Sequence, residues 1–253
     1  MAEIKTKTKP TWCPGCSNFL ILESVSRAVQ SLIKQGWKKE EFVITTDIGC
    51  NSKIYDYLNL SGIYGLHGRS LATAVGVKLG NPKLNVIAFQ GDGGAYDEGI
   101  SHFIHACKRD NNVTLLVHDN QSFSLTTGQP TATTQEGYKS KASPSGFKEK
   151  PLNPIKLALA SGATFIARCN PFDVDDTARI IETAVKHRGF SFVEVMQKCL
   201  IFNTGINSLE KLMHKVNDNN DEEKAYKLAD EWDYNTAETG HDKIPIGILY
   251  EKI

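Results

Sequence analysis

Leu84-Asn85-Val86-Ile87-Ala88-Phe89-Gln90-Gly91-Asp92-Gly93 decides how this chain folds. Leu84 to Phe89 is a short, mostly apolar run without strict alternation, which predicts a strand buried on both faces, as in a parallel sheet. Gly91-Asp92-Gly93 then sets a carboxylate just past the strand, at the carboxyl edge where α/β proteins bind ligands. The next such run, Val113 to Val117, leads into Asp119-Asn120-Gln121. Two neighbouring strand ends thus offer a carboxylate and an amide oxygen. That pair suits a hard cation such as Mg²⁺, which keeps few protein ligands and takes the rest from phosphate and water. Together the two motifs suggest a divalent cation holding a diphosphate, although Gly-Asp-Gly alone is usually just a turn.

Around this stretch, strands and helices alternate. Ser17 or Asn18 can cap a helix running to about Gln35, where Gly36 stops it. Phe42 to Thr46 reads as a strand and Leu71 to Leu79 as a helix of small residues ended by Gly80-Asn81-Pro82. Further helices are predicted over Tyr96 to Lys108, Ile155 to Ala160 and Val174 to Lys186, with strands over Thr164 to Ala167 and Phe192 to Val195. Short β-branched runs between helices predict an α/β fold, a mostly parallel sheet with helices on both faces. Gln121 to Pro151 is a long connection of the kind that often covers an active site. Its Tyr138 to Lys150 half has a disordered excursion as the alternative. Glu210 to Thr239 is charged and reads as a helical arm or partner contact outside the core, and Ile244 to Tyr250 regains the apolar character to dock. The expected organisation is one domain over 1–253, with an N-terminal cysteine segment (about 1–50) and a C-terminal arm (about 205–253).

The cysteines supply a second inorganic signal. Cys13-Pro14-Gly15-Cys16 puts two thiols across a tight turn, where they can bind one metal centre together. Zinc, an iron-sulfur centre and a redox pair all remain open on spacing alone; a structural disulfide is disfavoured where no secretory signal is evident. Cys50, in Asp47-Ile48-Gly49-Cys50, and Cys199, in Gln197-Lys198-Cys199, complete a possible four-thiolate set. Cys107 and Cys169 lie in apolar surroundings and read as small buried side chains.

Trp12-Cys13-Pro14-Gly15-Cys16, Asp47-Ile48-Gly49-Cys50, His67-Gly68-Arg69, Gly91-Asp92-Gly93 with Ala95-Tyr96-Asp97, and Leu125-Thr126-Thr127-Gly128-Gln129 occur in that order. The set resembles the β subunit of the 2-oxoacid:ferredoxin oxidoreductases, from about Thr11 to Asn203. The resemblance implies a thiamine diphosphate-binding fold that holds thiamine diphosphate through Mg²⁺ and carries one [4Fe-4S] cluster. Cys13, Cys16, Cys50 and Cys199 would then ligate the cluster, and Asp92, Asn120 and the carbonyl of Ser122 would ligate Mg²⁺. Cofactor contacts are expected from Ile48, Gly49, Cys50 and Ser52, from His67, from Gly91 and Gly93, and from Phe123, Ser124, Leu125 and Thr126. His67 would bond phosphate or help move a proton, with a structural histidine as the alternative. Lys53 would meet the substrate carboxylate, with a solvated lysine as the alternative. Arg69 would bind an anion or make a salt bridge, and Glu98 reads as a capping or surface carboxylate.

The implied reaction is coenzyme A-dependent oxidative decarboxylation of a 2-oxoacid, with electrons passing through the cluster to ferredoxin. The resemblance also places the glutamate that activates the cofactor on an α subunit, so an α partner is expected, with γ and δ subunits as further candidates. Some relatives carry a lysine in the loop that here reads Leu125 to Gln129. Thr127 in that loop favours pyruvate slightly over 2-oxoglutarate.

Lys plus Arg equal Asp plus Glu at 29 each, so no broad basic field points to nucleic acid or an anionic membrane. No apolar stretch is long enough to cross a bilayer, and a soluble cytoplasmic protein is expected. Two rivals stand: a non-oxidative thiamine diphosphate decarboxylase or carboligase subunit with structural zinc on the cysteines, and a binding module in which the cysteine site only braces a scaffold.

Overall fold

The computed structural model describes residues 3–234 and 243–252. Its centre is an eight-stranded sheet of order β2-β1-β3-β4-β6-β5-β8-β7. The strands are β1 (Phe42–Thr46), β2 (Ser61–Tyr64), β3 (Asn85–Gly91), β4 (Thr114–Asp119), β5 (Phe165–Cys169), β6 (Ser191–Met196), β7 (Met213–Lys215) and β8 (Ile244–Glu251). All neighbours run parallel except β5 and β8. Helices α1 (Asn18–Lys34), α2 (Ser70–Gly80), α3 (Ile100–Arg109), α4 (Pro154–Ala160), α5 (Val174–Lys186) and α6 (Glu222–Asp230) cover it.

The absence of alternation in the strands has a direct cause. Ile87 and Phe89 of β3 pack with α1 and α5 on one face, while Val86 and Ala88 pack with α2 and α3 on the other. Successive residues are therefore buried against opposite helix layers, so apolar side chains fall on both faces and the strand shows no alternation. At ~25 cal/mol per Å² of apolar surface, each large side chain sealed this way contributes about 1.5–3 kcal/mol. Cys107 in α3 and Cys169 at the end of β5 are fully buried, as expected for small apolar side chains.

The site is positioned by strand order. Gly91 on β3 pairs in register with His118 on β4, so Asp92 and Asn120 leave the sheet side by side. After β1 the chain moves outward to β2, then returns to add β3 on the other side of β1. The carboxyl ends of β1 and β3 therefore flank a topological switch point, where open α/β sheets form ligand crevices.

Three stretches depart from the sequence-based expectation. The helix expected from Tyr96 starts later: Gly93–Glu98 forms a π turn and α3 begins at Ile100. Gly99 separates them, because a Cβ there would lie 2.6 Å from the Gly94 carbonyl oxygen and 2.7 Å from that of Gly68. The chain after Leu209, expected as an arm outside the core, instead joins it: α6 packs on α4 and β8, and β8 enters the sheet between β5 and β7. Trp232 and Tyr234 anchor that segment, stacked at 3.9 Å with Arg168 over both rings. Residues 235–239 of the expected arm lie outside the described residues. Finally β2, an exposed edge strand containing Gly62, was not anticipated.

The long connection after β4 is pinned at both ends. Thr131, Thr133 and Thr134 are buried against the strand ends, and its outer half closes through Gly137 N–H to the Phe147 carbonyl at 2.7 Å and Phe147 N–H to the Tyr138 carbonyl at 2.8 Å. Among the described residues, no helix is long and apolar enough to cross a membrane.

Candidate functional site

A cavity opens at the switch point. The turn after β1 contributes Ile48, Gly49 and Cys50, the turn after β3 contributes Gly91, Asp92 and Gly93, and the loop after β4 contributes Asn120 and Ser122 through Thr126. His67 closes one side. Thirteen of the fourteen positions expected at the cofactor therefore meet in one place. The exception is Ser52, which is buried behind the wall and donates to Asp47 Oδ1 at 3.1 Å. Two lining residues were missed, Asn51 and Gly94. Asn51 donates to Asp47 Oδ1 at 2.7 Å, a long-range constraint that no local motif announces.

The donor set fits a divalent cation. Asp92 is buried, and burial raises its carboxyl to about 7 against the opposing hydrogen bond from Thr131. Thr131 donates to Asp92 Oδ2 at 2.6 Å, and Thr133 donates to the same oxygen at 3.3 Å and to Asp119 Oδ1 at 3.0 Å. A positive ion would restore the charged form that burial disfavours. Asn120 Oδ1 faces the Ser122 and Ser124 hydroxyls at 3.0 and 2.8 Å. Gln121 adopts a left-handed φ of 55°, and Asn203 Nδ2 donates to the carbonyls of Asn120 and Gln121 at 3.2 and 3.1 Å, which fixes this turn.

Glycines make the cradle. A Cβ on Gly93 would lie 2.3 Å from the Phe123 ring, and one on Gly49 would lie 2.7 Å from Asn51 Oδ1 while requiring a φ of 137°. His67 Nδ1 lies 3.1 Å from Glu98 Oε2, and Arg69 Nη1 donates to the Glu98 carbonyl at 3.1 Å. Glu98 thus orients His67, and Arg69 is spent on backbone instead of a salt bridge.

The four expected cluster cysteines also meet. Cys13, Cys16, Cys50 and Cys199 line a second cavity of about 120 Å³, together with Trp12, Lys53 and the 197–202 segment. Its two halves are tied together: Ser17 Oγ accepts from Lys198 N–H at 2.9 Å, and so does not cap α1, and Trp12 Nε1 donates to the Cys50 carbonyl at 2.6 Å. Burial pushes the Cys50 thiol up to about 11, with charge on Cys16 adding to it and Lys53 opposing. Burial likewise raises Cys16. Cys199 behaves oppositely. Burial would raise it, but hydrogen bonds from the Ser124 hydroxyl and from backbone N–H groups of the 201–203 turn outweigh that and hold it below the usual thiol range. Such a nest of donors is what a ligating thiolate needs. Lys53 lies in this second cavity, its Nζ donating to the Thr11 carbonyl at 3.3 Å.

Strand order, glycine cradle, and carboxylate and amide donors at adjacent strand ends define the diphosphate-binding domain of a thiamine enzyme. The family model described as "Thiamine pyrophosphate enzyme, C-terminal TPP binding domain" matches residues 47–195. The chain is 38% identical over 252 residues to a 2-oxoacid:ferredoxin oxidoreductase subunit beta of Saccharolobus solfataricus, spanning 95% of this chain and 81% of that one. It is 42% identical over 197 residues to the 2-oxoglutarate synthase subunit KorB of Archaeoglobus fulgidus, spanning 78% and 72%. Its fold matches that of a 2-oxoglutarate:ferredoxin oxidoreductase from Magnetococcus marinus solved with 2-oxoglutarate, coenzyme A and succinyl-CoA bound. The TM-score is 0.91, with 31% identity, across 99% of this chain and 84% of that one. This chain belongs to the β subunits of the 2-oxoacid:ferredoxin oxidoreductases.

Proposed function

We propose that the chain, joined to an α subunit, carries out coenzyme A-dependent oxidative decarboxylation of a 2-oxoacid to an acyl-CoA and CO2, delivering the electrons to ferredoxin. One observation carries this reading: Cys50, Ser124 and Leu125 line both cavities, so the cofactor cavity and the cysteine cavity share a wall. An electron acceptor held by the thiols would sit directly beside the reacting centre.

Thiamine diphosphate, when bound, supplies the carbon nucleophile and electron sink on which a 2-oxoacid loses CO2. Asp92, the Asn120 side chain and the Ser122 carbonyl would hold its Mg²⁺, and the glycine turns at Gly49, Gly91 and Gly93 leave room for the diphosphate against backbone. His67, steadied by Glu98, stands at the cavity wall, where it can hold a phosphate oxygen or a proton. A [4Fe-4S] cluster would be held by Cys13, Cys16, Cys50 and Cys199 and supply a one-electron acceptor. The loop from Ser122 to Thr126 forms one wall of the cavity.

Ile63, Tyr64 and Leu66 are 43%, 44% and 74% exposed beside His67. This apolar rim supports an α partner closing the cofactor site. The Archaeoglobus fulgidus relative and the Magnetococcus marinus enzyme carry 2-oxoglutarate in their names. They move 2-oxoglutarate ahead of pyruvate as the first substrate to test, despite Thr127. The zinc-bearing rival shares the same four thiols around the cavity, and the metal bound there decides between the two.

The test is metal and sulfide analysis of the αβ complex purified without oxygen, with absorption spectra before and after dithionite and a coenzyme A-dependent assay on 2-oxoglutarate and pyruvate. About four irons and four sulfides per chain, after subtracting any cluster of the partner, with bleaching near 400 nm as such clusters show, are expected. Zinc without iron sinks the oxidative reading.

A further inference from the structure

Ser124 has one hydroxyl proton and four acceptors within reach. Its Oγ lies 2.8 Å from Asn120 Oδ1, 2.8 Å from Ser122 Oγ, 3.3 Å from Cys199 Sγ and, most distantly, 3.5 Å from the Ser122 carbonyl oxygen. The residue is only 7% exposed, so solvent offers little alternative. Asn120 Oδ1 also faces the Ser122 hydroxyl at 3.0 Å, so hydroxyls approach both lone pairs of that amide oxygen. A cation on the oxygen takes one lone pair, and its charge repels hydroxyl hydrogens pointing the same way. Ser122 is placed to keep the other lone pair. Cys199 Sγ is then the charged acceptor left to Ser124, already receiving the Phe202 N–H at 3.4 Å, and a bond to a thiolate is the stronger, charge-assisted kind.

We infer that Ser124 couples the two sites: a divalent cation on Asn120 turns the Ser124 hydroxyl to Cys199, and the resulting O–H···S hydrogen bond raises the reduction potential of the cluster that Cys199 helps to hold. This rests on the cation and cluster assignments proposed above. Reduction adds negative charge to a thiolate-ligated cluster, so a donor to its sulfur stabilises the reduced form more than the oxidised one. The coupling is reciprocal. A reduced cluster pulls harder on the proton, frees Asn120 Oδ1 and tightens the hold on Mg²⁺ and the diphosphate. The acceptor is then poised to take an electron when the cofactor is in place, and the cofactor is gripped while the electron is there. Ser124 acts through its neighbours and is a positioning residue.

The experiment is a redox titration, followed by electron paramagnetic resonance, of the anaerobic αβ complex with and without Mg²⁺ and thiamine diphosphate. Wild type, Ser124→Ala and Ser124→Thr are compared. Loading is expected to raise the wild-type potential by more than it raises that of Ser124→Ala, a difference of up to tenfold in the reduction equilibrium, or about 59 mV for a one-electron couple. Ser124→Thr, which keeps the hydroxyl, is expected to restore the wild-type response. Equal responses in wild type and Ser124→Ala overturn the coupling. Iron and sulfide content on the same samples separates this from the assignment beneath it, because wild type lacking iron-sulfur overturns both. Should Ser124→Ala lose its iron, double resonance on reduced wild type in H2O and D2O decides. An exchangeable proton coupling that strengthens on loading supports the coupling, and one that does not change overturns it.

Discussion

Asp47 occupies the space that a side chain at position 94 would need: a Cβ built on Gly94 would lie 1.9 Å from Asp47 Oδ2. Asp47 is fully buried and held by Asn51 and Ser52, so it cannot swing away. Gly94→Ala should therefore push the turn that carries Asp92. Overpacking of this kind costs about 1–3 kcal/mol. A lower denaturation midpoint together with weaker thiamine diphosphate retention in a binding titration is expected, and unchanged retention would show that the turn moves independently of the cavity.

Asp47 also carries a pH signature. Burial raises its carboxyl from 3.8 to about 7, against hydrogen bonds from Asn51, Ser52 and Gln90. A raised carboxyl binds its proton in the folded protein where the unfolded chain has lost it, so its contribution to stability falls as pH climbs from about 4 to about 7. Asp47→Asn removes the ionisation while leaving the site polar. Denaturant melts of cofactor-free protein across that window should show a flatter pH dependence in the variant; parallel curves would contradict the assignment.

The Arg168–Glu194 pair is sealed, both side chains having zero exposure, with Nε to Oε2 at 2.6 Å. The Tyr234 hydroxyl reaches both Glu194 oxygens at 2.5 and 2.7 Å and accepts from Arg168 Nη2 at 2.8 Å. Glu194→Ala leaves a buried guanidinium without its counter-charge and should cost roughly 3–5 kcal/mol. Tyr234→Phe should cost about 1–3 kcal/mol through unpaired polar atoms. Equilibrium unfolding measures both, and a smaller loss for Glu194→Ala than for Tyr234→Phe would refute this ranking.

Separate occupancy of the two cavities gives a crossed test. Asp92→Ala should abolish thiamine diphosphate retention while iron content stays, and Cys199→Ala should deplete iron while retention persists. Iron assay and cofactor quantification on both variants read it directly. If both contents are unchanged in both variants, the site assignments are wrong.

Much of this was legible because parallel strands buried on two faces leave a plain signature. β1 spans the predicted Phe42 to Thr46, and the Asp92 and Asn120 turns announce themselves by following such runs. What stayed hidden is non-local or cooperative. β2 is exposed and holds a glycine, so it becomes a strand only because β1 offers an open edge. The π turn at Gly93–Glu98 depends on Gly68 and Gly99 approaching backbone to backbone. Trp232 and Tyr234 sit in a charged stretch, and what turns them inward is distant in sequence: the buried Arg168 and an apolar cluster that includes Met196, Ile206 and Ile244. Asn51 escaped notice because its placement is set by Asp47, itself no part of the cavity wall.

Trp12 rests edge-on between Phe19 and Tyr57 and donates its indole N–H to the Cys50 carbonyl. It is one of three tryptophans in the chain, and it lines the thiol cavity. A visible chromophore lodged among those thiols would drain its excited state by energy transfer. The fold has thus built an optical gauge into the cavity wall: emission from this indole should dim as the cavity fills and recover as it empties, letting assembly of the centre be timed in solution without any added dye.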